Sequence, residues 1–103
     1  VLRAARATGR RRVLLLFQPH RYTRTQALQE AFGRALALAD AAVVTDVYPA
    51  SEAPIPGVSG QLLVDAAQRA GAKDVHYASS RAEAGRVAGQ LLRPGELLVT
   101  LGA

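Results

Sequence analysis

Apolar residues along this chain gather in short runs with little polar alternation: Val13 to Phe17, Ala42 to Val47, Asp74 to Ala78 and Leu97 to Leu101. Such β-branched or leucine-rich runs fit strands covered on both faces. Between them apolar positions recur at helical steps, which predicts three helices with one buried stripe each. The first runs from about Thr25 to Ala39, with Leu28, Phe32, Ala35, Leu36 and Ala39 on the stripe, and Thr23 three residues before Gln26 reads as a capping box. A second begins after Ser59, buries Leu62, Leu63, Ala66, Ala67 and Ala70, and ends at Gly71, which can take the left-handed cap. In the third, Ser80 and Glu83 form another capping box, Ala84, Val87, Ala88 and Leu91 repeat at helical steps, and Pro94-Gly95 closes it. Strand, helix, strand, helix, strand, helix, strand is a three-layer α/β sandwich with a mainly parallel sheet and right-handed crossovers.

Composition adds limits to this outline. At 103 residues the chain makes a single domain, 1–103, with no internal repeat or interdomain linker. Its hydrophobic fraction of 50% with aromatics at 5% describes a core of Ala, Leu and Val. The absence of cysteine removes disulfides, thiolate metal sites and thiol nucleophiles. No apolar run approaches the length of a membrane span or a signal peptide, so a soluble, cytosolic domain is expected. Opening on Val1 in place of Met leads to the expectation that it is a piece of something longer.

A formal charge of +5 is carried almost wholly by arginine, Lys73 being the single lysine. Arg3, Arg6, Arg10, Arg11 and Arg12 crowd the start, which raises the possibility of a nucleic-acid grip. The preferred reading is the wet side of a surface helix ended by Gly9, since no aromatic residues interleave with the basic ones.

Candidate chemistry lies in two loops that leave the carboxyl ends of the first two strands, where an open parallel sheet receives ligands. After the first strand come His20, Arg21, Tyr22, Thr23 and Arg24, at the mouth of a helix. Unpaired backbone N–H groups and guanidinium forks together favour a carboxylate or phosphate there. Against that stands the reading in which Arg21 and Arg24 are solvated or pair with Asp46 and Glu52. After the second strand, three prolines stiffen the segment Asp46 to Gly57 and present Glu52 on a firm support. Asp46 either orients a cation from the neighbouring loop or caps local backbone. His20 lacks an acidic partner and is assigned no proton transfer, and His76 reads as a packed or half-exposed strand residue. No metal constellation, glycine-rich nucleotide fingerprint or Ser/His/Asp arrangement is present.

The stretch Val13 to Thr25, followed by Asp46-Val47-Tyr48 and by Glu52-Ala53-Pro54-Ile55-Pro56-Gly57, resembles the C-terminal, Rossmann-like domain of the Mur ligases of bacterial peptidoglycan synthesis. Within that family it is similar to the branch that joins L-alanine to UDP-N-acetylmuramate. Both motifs stand in the family's order and spacing, the likeness covers essentially the whole chain, and sister ligases carry other residues in the first loop.

The resemblance implies an ATP- and magnesium-dependent ligase in which other domains hold the UDP-sugar and ATP, while this one brings the amino acid. It also implies an acyl phosphate that the alanine amine attacks. By the same resemblance His20, Arg21 and Arg24 lie near the incoming alanine and the transferred phosphate, Arg24 first and Arg21 second. Tyr22, Thr23, Asp46, Tyr48 and Glu52 shape the surrounding loops. Nucleic acid and membrane are not among the implied partners, and the implied site is cytoplasmic. Neither the ATPase P-loop nor the His-His-Pro-Thr-Glu segment that precedes this domain in the family occurs here, so the fragment alone is expected to be inactive. A stand-alone anion- or nucleic-acid-binding module is the alternative.

Overall fold

In the computed structural model the described residues are 12–102. The helix expected around Arg3, Arg6 and Arg10 falls outside them. Strands β1 (Val13–Gln18), β2 (Ala41–Thr45), β3 (Val75–Ala78) and β4 (Leu97–Gly102) form one sheet in the order β3-β2-β1-β4. Every pairing is parallel, with Leu14 level with Ala41 on one side and Leu98 on the other. Helices α1 (Tyr22–Ala27), α2 (Gln29–Leu36), α3 (Gly60–Arg69) and α4 (Arg81–Leu91) make the crossovers.

Strand alternation divides the core in two. Val13, Leu15 and Phe17 of β1 point to one face and meet Leu36 of α2 and Leu63, Val64 and Ala67 of α3. Leu14, with Ala41 and Val43, points to the other and meets Ala84 and Ala88 of α4. The architecture is therefore a three-layer α/β sandwich of the Rossmann-like class, with the central strands covered on both sides. Full burial of Leu63 contributes on the order of 2 kcal/mol relative to exposure.

Several local expectations change. The first helix is two helices, because Leu28 leaves helical geometry at φ −107° and ψ 15°. Leu28 and Ala35 are consequently exposed, and Gly33 rather than a larger residue faces α3. A Cβ at Gly33 would lie 2.6 Å from the Ala66 carbonyl carbon, so the two helices approach backbone to backbone. Ala70 is exposed and Val64 buried in α3, since the buried stripe tilts by one residue toward the sheet. At the sheet's edge β4 alternates half-buried and exposed, with Leu98 40% exposed, so it is covered on one face only. Ser59 and Ser80 cap α3 and α4 as expected, accepting from the Gln61 and Glu83 amides. The Glu83 carboxylate, however, turns to Arg86 instead of back to the cap.

Candidate functional site

Both polar loops do reach the same edge of the sheet, and they are joined there by backbone. The Tyr48 amide donates to the Pro19 carbonyl at 2.8 Å, and the Arg21 amide donates to the Tyr48 carbonyl at 2.8 Å. His20 and Tyr48 thereby form a parallel bridge, and their rings meet at a tilt of 47° with centroids 5.2 Å apart. Buried Pro19, with φ preset by its ring, directs the chain out of β1 into this bridge.

The expected capping box at Thr23 does not form. Arg21 takes the N-cap position of α1 with φ 67° and ψ 136° and makes no side-chain cap bond. In its place a carboxylate from the other loop serves: Glu52 accepts from the Thr23 amide at 3.2 Å and from the Thr23 hydroxyl at 2.6 Å. The Thr23 hydroxyl above all, with the Thr23 and Tyr22 amides and the charge of Arg21, holds the Glu52 carboxyl below its ordinary range despite partial desolvation. The positive φ of Arg21, in a residue that carries a Cβ, costs on the order of 1–3 kcal/mol and persists because neighbours pin both its peptides. On the far side its carbonyl accepts from the Thr25 amide at 3.1 Å and from the Thr25 hydroxyl at 2.8 Å. Thr25 is fully buried, so this second anchor is shielded from water.

The two arginines serve different neighbours. Arg21 lies beside Glu52, whereas the Arg24 guanidinium lies over the Phe32 ring, 5.9 Å from its centroid. Neither, nor Arg81 on the same rim, forms an ion pair among the described residues. Asp46 adopts the backbone-capping arrangement: its Oδ1 accepts from the amides of Val47 at 2.9 Å and Gly60 at 3.1 Å, the latter opening α3. Only glycine fits at position 60, where a Cβ would stand 2.2 Å from the Thr45 carbonyl oxygen. Burial, then the charge of Asp46 and a hydrogen bond to it, push the Tyr77 hydroxyl up.

Beside the bridge, a cleft of about 400 Å³ opens over the ends of β1, β2 and β4 and is lined by Leu16, Gln18, Thr45, Arg81, Thr100 and Gly102. It occupies the point where strand order reverses between β1 and β4, the general ligand position of such sheets. The His20 ring leans toward it; a Cβ on Gly102 would come within 3.3 Å of Nε2. Sequence reasoning missed Gln18, Arg81 and Thr100, although each is a polar residue at a strand's carboxyl end or the helix mouth beyond it. His76 is half-buried on β3, pairs with Asp74 at 2.5 Å and does not line this cleft.

Fold and rim together define a Rossmann-like domain whose cationic first loop and acidic second loop meet beside the topological switch point. The family described as "Mur ligase, glutamate ligase domain" matches residues 1–103, and the chain belongs to that family. It is 50% identical over 97 residues to a protein of Streptomyces avermitilis named "UDP-N-acetylmuramate--L-alanine ligase", covering 94% of this chain and 21% of that protein. A protein of the same name from Anaeromyxobacter dehalogenans is 48% identical over 102 residues, 99% of this chain and 22% of the relative. One from Cutibacterium acnes, also so named, is 46% identical over 96 residues, 93% and 20% respectively. The chain spans about a fifth of the length of these curated relatives. Among the described residues no helix is long and apolar enough to cross a membrane.

Proposed function

We propose that this chain is the amino-acid-binding domain of a longer, cytoplasmic, ATP-dependent ligase that joins L-alanine to UDP-N-acetylmuramate in peptidoglycan synthesis. Identity near 50% to relatives of that name, over almost the whole chain, is the observation that carries the reading. In this reading ATP activates the sugar's lactyl carboxylate as an acyl phosphate, the alanine amine attacks it, and phosphate leaves.

The work of the rim is then to bind and orient. Alanine meets the rim beside His20, with its carboxylate taken by Arg24 and Arg21, which stand outside the cleft that Arg81 lines. A permanently charged, planar guanidinium suits this, because it fixes an anion's direction without exchanging protons. As negative charge grows on the oxygens at the attacked carbon, a nearby guanidinium also lowers its energy. Tyr22, Thr23, Tyr48 and Glu52 hold the loops that carry these groups, and Asp46 anchors the start of α3.

The described residues contain no group of three or more His, Asp or Glu side chains able to hold a metal ion, and both rim carboxylates are engaged by N–H or O–H donors. In this reading the remaining domains of the complete ligase hold ATP and its metal. Neither a nucleic acid nor a membrane surface has a part in this reading. Its test is the Arg24→Ala variant of the complete protein. Phosphate release that depends on both UDP-N-acetylmuramate and L-alanine is expected to fall by orders of magnitude with the melting temperature kept. Turnover near that of the unaltered protein would remove Arg24 from the site.

A further inference from the structure

Two features of the rim are strained, and hydrogen bonds join the loops that carry them. Arg21 sits at φ 67° on the first loop, while on the second Ala50 and Ser51 are both at positive φ, 51° and 72°. The Glu52 amide closes that turn by donating to the Pro49 carbonyl at 3.0 Å, so Ala50 and Ser51 are the central residues of a turn that normally asks for Gly or Asn. Placing an alanine and a serine there is unfavourable locally, and the turn's product is the position of Glu52. Both oxygens of that carboxylate go to Thr23, two residues after Arg21 and one before Arg24.

We propose that Glu52 is a positioning residue of the amino-acid site. It clamps Thr23 and thereby holds Arg21 and Arg24 in the geometry that receives the amino acid's carboxylate. The inference rests on the proposed function and deepens it, since that reading gives Glu52 no more than a general place in the loop. Three observations separate a clamp from a direct ligand. Each carboxylate oxygen already has a donor, so an incoming ammonium group would compete with Thr23. The carboxylate substitutes for a cap that Arg21 does not supply. Finally, the loop that carries it is zipped to the first by the two backbone bonds around Tyr48, which leaves the pair free to act as one body.

A double-mutant cycle on the complete ligase tests this, using steady-state phosphate release with each substrate varied in turn. Glu52→Ala is expected to raise KM for L-alanine about tenfold or more, as for a displaced positioning contact, while KM for UDP-N-acetylmuramate and for ATP stay within about twofold. Turnover at saturating alanine should fall by a smaller factor than kcat/KM for alanine, because the same guanidiniums also steady the attacked centre. Thr23→Ala should produce a similar rise, the double variant no more than either single one, and Thr23→Ser should restore most of the loss. If Glu52 instead contacted the substrate ammonium, Thr23→Ala would leave alanine KM unchanged or the effects would add, and the clamp would be wrong. A fall in KM on removing Glu52 would mark it as a competitor for Arg21 and overturn the inference equally. Should Glu52→Ala fail to fold, the Thr23 pair of variants carries the decision alone. Arg24→Ala in the same assay keeps the two levels apart: if it is normal, the carboxylate site proposed above loses Arg24 and the clamp falls with it, and if it collapses beside a normal Glu52→Ala, only the clamp fails.

Discussion

The two ends of the parallel sheet use the same kinds of side chain to opposite effect. At the amino end charges other than Lys73 are matched against each other and against backbone. Arg12 pairs with Glu96 and approaches Asp74 at 4.0 Å, Asp40 accepts from the Val13 amide at 2.7 Å, and Glu96 accepts from the Arg93 amide at 2.5 Å. At the carboxyl end the acids are spent on amides and a hydroxyl, while Arg21, Arg24 and Arg81 are left without ion pairs among the described residues. All three positive-φ residues other than glycine among those described also lie at that end. One edge closes the fold; the other holds cationic groups and backbone strain in reserve, the pattern expected of a binding edge.

The sharpest way to break this contrast is to neutralise one cation at each end of the complete protein and to assay the ligase activity proposed for it. Arg24→Ala is expected to cost orders of magnitude in alanine-dependent phosphate release, and Lys73→Ala, in the turn before β3, to leave it within about twofold. Equal losses would dissolve the distinction. Next in size is Gly60→Ala at the carboxyl end. Its Cβ has no room beside the Thr45 carbonyl, and denaturant unfolding should show a loss of about 1–3 kcal/mol or more. Asp46→Ala removes the partner of the same Gly60 amide without adding bulk, and should cost about 1 kcal/mol by the same measurement.

The smallest effect belongs to the amino end and is visible in its pH dependence. Partial burial pushes the Glu96 carboxyl up, but the Arg93 amide and the Arg12 hydrogen bond and charge outweigh it and hold the group below its ordinary range. A carboxylate lowered on folding adds stability that is complete above its unfolded pKa and lost as pH falls through the folded one. Glu96→Gln should therefore unfold at slightly lower denaturant than the unaltered protein at pH 7. The gap should shrink as pH drops below the ordinary carboxylate range, and a gap that persists in acid would mean that packing rather than charge sets it.

How far the chain could be read in advance differed between fold and site for a definite reason. Strands appeared where Val13 to Phe17 or Leu97 to Leu101 are continuous apolar runs, and α3 and α4 where Ser59, Ser80 and Gly71 punctuate a helical period. These are local signals, set within a few residues. The break at Leu28 was illegible because Leu is a good helix former, and only packing against α3 selects Gly33 as the contact. The outer face of β4 was misjudged because a run of apolar residues looks the same in a central strand and at an edge. At the site, the motif from His20 to Arg24 stood out as a cluster of charge, yet nothing local indicated that its cap is Glu52, which lies 29 residues away from Thr23.

By itself, then, the order of residues determined the alternation of strands and helices, the parallel sheet that follows from it, and which loops carry cations, because period, caps and charge are properties of neighbours along the chain. Tertiary structure alone decided what each rim residue does. Arg21 takes its strained backbone, Glu52 its partner and His20 its stance over Gly102 from contacts between loops that are distant in sequence. The energies of such contacts arise only once the sheet has brought the two loops side by side.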